Sequence, residues 1–415
     1  MPKIKSFDGF LVTADRAGEV VSPAYDSVSP EQRRIFAEEN PKNFLNTMRL
    51  MEDFPEDARP SQEQLLALNR ANLDKLLEDG SYQPLPQPCL FLYQLDTGSH
   101  VQTGLVCEVG VDEYERGLIR KHENTRSDKE DLLANYQKVV GVSSSPICLA
   151  YAQNDDIDSC IAELASREPD LEFVSEDGVR QKVWCIEDPQ TKSRLTDLYS
   201  SVKVTYLTDG HHRAASGRRY AEIMREQSGS EGNQRNEPYN QFLVALFPDD
   251  QLNLLPFHRC VRDLNDLDKD ELVSQLAECF EVEELQGQSS FQPDRHGVFG
   301  MFLDGIWYRL QLKVDCAAGD DPVESLDVSI LQNLILDPIL GIKDVRCDSR
   351  LDYIAGISGE EGIRQKCAEG WKVVFACYAT SIDQLMNVAD AEGLMPPKST
   401  YFDPKTRSGI FIRLK

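Results

Sequence analysis

Two short stretches carry side chains suited to chemistry on an anion: Asp209-Gly210-His211-His212-Arg213 and Lys121-His122-Glu123-Asn124-Thr125-Arg126. Ahead of the first, Val202, Val204 and Tyr206 alternate with Lys203 and Thr205 as in a strand, and residues 214–224 read as a helix. A glycine turn feeding a helix N-terminus presents backbone N–H groups and the positive end of a dipole. Two imidazoles and a guanidinium placed there add charge-assisted donors for phosphate oxygens. The residues alone leave two other readings open. Asp-Gly is an ordinary turn, and adjacent histidines can be a metal pair, although no third ligand stands at a zinc spacing.

In the second stretch a carboxylate sits beside a histidine and among cations, which suits a general base flanked by groups that hold negative charge. The competing reading is a solvated charged turn ahead of a helix. A His-Glu-x-x-His zinc site fails because Arg126 stands where the second histidine is needed. Ser127 and Glu130 have capping-box spacing, so a helix is expected from about Asp128 to Val140. A third basic group follows Pro396-Pro397: Lys398, with Lys405 and Arg407 beyond it. A lysine stiffened by prolines suits a point contact with phosphate, and equally a rigid surface turn.

The chain that must position these groups has 415 residues, 41% of them hydrophobic, enough for two or three domains. Its formal charge of −26 excludes broad nucleic-acid binding but not a local basic pocket. No apolar run approaches the roughly 20 residues that span a bilayer, and Met1-Pro2-Lys3-Ile4-Lys5 lacks the apolar core of a signal peptide. Eleven cysteines without Cys-x-x-Cys spacing fit reduced thiols. A cytoplasmic protein with neither nucleic acid nor membrane as partner is expected. Ser29-Pro30 marks a helix start, a leucine stripe marks a helix over Gln62–Leu77, and Pro84 to Pro88 reads as a linker. Strands are expected over Leu90–Tyr93, Gly104–Val109, Trp307–Val314 and Ile410–Leu414, with helices over Asp270–Phe280 and Asp327–Leu336. The class is α/β to α+β, in three regions, 1–95, 96–255 and 256–415.

Taken in order, Val21-Ser22-Pro23-Ala24-Tyr25-Asp26, Asn40-Pro41-Lys42-Asn43-Phe44-Leu45, the two stretches above and Met395-Pro396-Pro397-Lys398-Ser399-Thr400 form a series. It resembles the bacterial family known as domain of unknown function 1015 over essentially the whole chain. That family is similar to the free serine kinases of the ParB/sulfiredoxin fold. The resemblance implies a ParB/sulfiredoxin-like catalytic core with a small mixed sheet over 96–255, flanked by an N-terminal α/β region and a C-terminal α+β region with the lysine-bearing loop. It implies phosphoryl transfer to the hydroxyl of free L-serine, giving O-phosphoserine. Longer members use inorganic pyrophosphate and the shorter archaeal type uses a nucleotide, so pyrophosphate is the expected donor and ATP or ADP the alternative. The chain has no Walker loop and no kinase glycine-rich loop, which is compatible with either.

By the same resemblance Glu123 is the base that takes the serine proton. Asp209, Gly210, His211, His212 and Arg213 hold the donor phosphates with Lys398, and Asp209 contacts Mg2+. Lys121, His122, Thr125, Arg126, Tyr25 and Asp26 position substrate. Two departures stand out: Ala24 where the family has a second proline, and Asn46 where it often has histidine. A ParB-like nucleotide switch acting on DNA would need a basic helix-turn-helix, which the sequence lacks.

Overall fold

The computed structural model describes residues 3–228, 236–317 and 319–415, without the Asp26 side chain. The polar stretch 229–235, expected as a surface loop, lies outside the described residues. The chain forms two compact units, Met1–Leu252 with Pro404–Lys415, and Asn253–Asp403. The chain passes from the first to the second at Leu252–Asn253. Residue 95 instead lies inside a strand hydrogen-bonded on both sides, and residues 404–415 return to the first unit rather than staying with the C-terminal region.

The first unit is built on an eight-stranded sheet. In chain order its strands are β1 (Leu90–Asp96), β2 (Val101–Gly110), β3 (Ile119–Arg120), β4 (Ile147–Tyr151), β5 (Leu171–Val174), β6 (Arg180–Ile186), β7 (Thr205–Asp209) and β8 (Gln241–Pro248). Their spatial order is β3-β7-β4-β8-β2-β1-β6-β5. The β3–β7 and β4–β8 pairs are parallel and the others antiparallel. The central strands are apolar on both faces, as burial on both sides requires. Phe91, Tyr93 and Leu95 of β1 and Leu243, Ala245 and Phe247 of β8 enter one core with Phe44 and Phe411. Leu90 and Leu92, with Phe242, Val244 and Leu246, enter the opposite core with Ile157, Trp184 and Tyr199.

A smaller sheet, in the order Tyr82–Pro84, Phe10–Val12, Phe411–Leu414, Val142–Ser143, is completed by the returning C-terminal strand. Two helices matter for the site: α1 (Ser127–Val139) and α2 (His211–Ser228). They are joined by Gln137 Nε2 donating to Ser216 Oγ at 3.2 Å and by an Arg219–Asp131 ion pair. The leucine stripe forms the helix Gln62–Glu78, capped by Ser61.

The second unit carries a six-stranded antiparallel sheet ordered Phe280–Leu285, Ile306–Leu312, Val298–Leu303, Val373–Ala376, Phe257–Val261, Leu351–Ala355. The expected helix at 270 is Lys269–Cys279, capped by Asp268. That at 327 is α-helical only to Leu331 and widens to a π-turn over Gln332–Leu336. Among the described residues no helix is long and apolar enough to cross a membrane.

Candidate active site

Strand β7 starts three residues later than the alternation at Val202 suggests and runs through Asp209. Its register slips near its end: Leu207 faces Leu149, but Asp209, two residues on, faces Cys148. This bulge turns the last carboxylate of the strand toward the following helix. Gly210 makes the corner at φ +96°, a left-handed value, and a Cβ there would lie 3.0 Å from the Arg213 guanidinium. His211 and His212 thus sit in the first turn of α2, not in the turn ahead of it.

Asp209 joins two cations. Its Oδ1 meets Lys405 Nζ at 2.8 Å, and its Oδ2 accepts from Arg213 Nη2. Burial by itself would raise the Asp209 carboxyl; Lys405 and Arg213 override that and hold it well below the usual carboxylate range. The Arg213 fork is completed by Nη1, which donates to the Ser145 and Pro146 carbonyls.

His211, 7% exposed, places Nδ1 3.7 Å from Glu123 Oε2, too long for a hydrogen bond. Its Nε2 is buried without a hydrogen-bond partner. The His122 ring packs edge-on against it, centroids 4.5 Å apart. Burial pushes His122 down to about 4 and His211 well below 6.5. Both imidazoles are therefore neutral at pH 7, and the positive charge comes from Arg213 and Lys405. Glu123 is one-third exposed.

Lys405 is held in place by its neighbours. Thr406 Oγ1 lies 3.3 Å from Cys148 Sγ, the Ser408 and Ser145 hydroxyls share a hydrogen bond, and Gly409 N donates to Ser144 Oγ at 2.7 Å. Arg407 pairs with Asp177. Gly409 has φ +90°, and a Cβ there would lie 2.7 Å from that of Phe44. Beside Arg213 a cleft of about 570 Å³, its open mouth included, is lined among others by Tyr25, Gln137, Ser144, Ser145 and Ser216.

Glu123, His122, Asp209, His211 and Arg213 are thus brought together, with Tyr25 on the cleft wall. Thr125 and Arg126 are engaged at the start of α1: the Thr125 hydroxyl donates to Glu130, and Arg126 pairs with Asp128 in solvent. The expected capping box is therefore absent; Arg126 is the N-cap residue and Ser127 lies inside the helix. Lys121 is exposed. Lys398 belongs to the second unit, where its Nζ lies 5.2 Å from the Phe257 ring centroid. The residue assigned no role from sequence is Lys405. Its type was visible, but its partner stands 196 positions away.

The Mg2+ contact expected of Asp209 would have to displace a cation from that carboxylate. Each of its oxygens already faces a cation, which repels a dication approaching the same carboxylate. Among the described residues no group of three or more His, Cys, Asp or Glu side chains is placed to hold a metal.

A family model described as "Protein of unknown function (DUF1015)" matches residues 4–329. The chain belongs to this family. The match spans both chemical stretches of this DUF1015 member and ends before Lys398 and Lys405. Comparison with curated proteins gives no match. Similar solved structures include a mutant free serine kinase in complex with ADP, 14% identical, covering 75% of this chain and 92% of that one at a TM-score of 0.37. SbnI with a C-terminal truncation from Staphylococcus aureus is 10% identical, covering 73% and 85% at 0.37. A conserved hypothetical protein from Pyrococcus furiosus is 12% identical, covering 74% and 95% at 0.35.

Proposed function

We propose that this DUF1015 member is a kinase for free L-serine, taking its phosphoryl group from inorganic pyrophosphate. The observation that carries the reading is His211, which opens the cation-bearing helix end and touches Glu123. A phosphate-binding end and a candidate base thus meet on one residue. Phosphoryl transfer asks for positioning, charge neutralisation and a base. The first turn of α2 offers N–H donors to the pyrophosphate oxygens, and Arg213 and Lys405 supply the positive charge beside it. Glu123 takes the proton of the serine hydroxyl as its oxygen bonds to phosphorus; the bridging P–O bond breaks and inorganic phosphate leaves. His211 is neutral, so Glu123 does not face an imidazolium charge. Tyr25 and the serines line the cleft beside Arg213, where serine would sit. Mg2+ enters with the donor, as magnesium pyrophosphate, and is substrate rather than a resident ion.

Two cations meeting on one carboxylate form a compact positive site, which favours a small, highly charged donor over a nucleotide. Eleven cysteines without a disulfide fit a cytoplasmic setting. Mass spectrometry after incubation with L-serine, Mg2+ and, separately, pyrophosphate, ADP or ATP tests the proposal. O-phosphoserine is expected with pyrophosphate; its appearance only with a nucleotide would overturn the donor, and its absence throughout the reaction itself.

A further inference from the structure

The geometry points to Lys405 as a donor-binding residue of this site, with Asp209 as the positioning residue that holds it. This rests on the serine kinase reading given above.

Arg213 is the side chain of the Asp-Gly-His-His-Arg stretch best suited in type to grip phosphate, yet much of its fork is directed at protein acceptors. Nη1 serves two backbone carbonyls and Nη2 serves Asp209. A planar guanidinium fixed at both ends is a static charge with little freedom to follow a substrate. Lys405 differs in three respects. Its ammonium carries three donors on a rotatable stem. It is 20% exposed, against 11% for Arg213. Its backbone is fixed, because the contacts of Thr406, Ser408 and Gly409 tie the returning segment to residues 144–148, at the start of β4. The side chain can therefore turn between Asp209 and a phosphate oxygen while its root stays in place.

Asp209 then has a definite task. With a cation on each oxygen it sets the spacing of the two positive groups and offsets their mutual repulsion while the site is empty. A pyrophosphate arriving at the helix N-terminus brings more negative charge than one carboxylate, so Lys405 turns toward it and Arg213 stays. The role given to Lys398 from sequence passes to Lys405.

The test is pyrophosphate affinity, read by calorimetry without serine and by the KM for pyrophosphate with it, in wild type, Lys405→Ala, Lys405→Arg, Lys398→Ala and Asp209→Asn. Lys405→Ala should weaken binding about 10- to 100-fold, the usual worth of a hydrogen bond between charged groups. Lys405→Arg should recover part of it, and Lys398→Ala should bind as wild type does. Asp209→Asn should raise KM more than it lowers kcat. A fall of less than about threefold for Lys405→Ala, or an equal fall for Lys398→Ala, overturns the assignment. So does wild type that fails to bind pyrophosphate. Wild type that binds it tightly through Lys405 but makes no phosphoserine would remove the serine reaction and keep the pyrophosphate site. Equal melting temperatures of wild type and Lys405→Ala check that the variant is folded.

Discussion

Beside its exposed ion pairs, such as Arg126–Asp128, the first unit also buries charges against one another. Asp209 with Lys405 and Arg213, Glu108 with Arg413, and Asp53 with Arg33 all have side chains one-fifth exposed or less. In the second unit, Lys372–Asp304 and Arg364–Glu360 stand in solvent, a third to a half exposed. Its buried Arg259 is satisfied differently, by the carbonyls of Phe257 and Pro397 and by the face of Tyr353. Burying an ion pair costs desolvation that the pair seldom recovers, so such pairs are weak stabilisers. One gathered where a strand turns into a helix, beside shifted imidazoles, is the feature on which the proposed site rests. The second unit shows that this chain can build a sheet without that expense.

The sharpest way to break this contrast is Glu123→Gln, which keeps shape and removes the base. Turnover should fall roughly 10²- to 10⁴-fold with melting temperature unchanged; near-normal turnover would take Glu123 out of that role. Next in size is Arg33→Leu. Arg33 pairs with Glu52 and with Asp53, itself 2% exposed, and holds the Tyr25 carbonyl at 3.1 Å. Its loss strands a buried carboxylate, and urea titration should show about 3–5 kcal/mol less stability. A loss under about 1 kcal/mol would mean the pair behaves like those on the surface of the second unit.

A pH series sharpens the contrast further. Burial lowers His122 from 6.5 to about 4. A depressed histidine binds its proton more readily when unfolded, so its contribution is whole above pH 6.5 and declines as pH falls from 6.5 toward 4. The loss should approach about 3 kcal/mol at the acid end. His122→Asn should flatten that slope; an unchanged slope would show that the acid sensitivity lies elsewhere. The smallest effect belongs to Lys372→Ala in the second unit: less than about 1 kcal/mol in urea and no change in phosphoserine output. A larger loss would contradict the view of that pair as a surface contact.

Local chemistry was legible in the sequence where local forces decide. The leucine stripe placed the helix at 62–78 within a residue at each end, and the two chemical stretches named the residues that surround His211. Elements set by distant partners were not. Strand β7 begins at Thr205 because Thr205 N donates to Leu118 O and its continuation pairs with 148–150, whereas the apparent alternation starts at Val202. Glu130 has cap spacing from Ser127, yet the Thr125 hydroxyl outside the helix takes it. Lys398 looked stiffened by its prolines, and nothing near Lys405 in sequence reveals that Asp209 waits for it. Residue 95 looked like a boundary because of the proline-rich run, but the strand after it is shared by both cores of the first unit.

Phosphorus NMR of the protein with L-serine and magnesium pyrophosphate decides whether pyrophosphate phosphorylates serine here. The pyrophosphate signal should decay into equal amounts of phosphoserine and inorganic phosphate, and stay constant without serine. Two inorganic phosphates per pyrophosphate, or a signal that does not change, would contradict it.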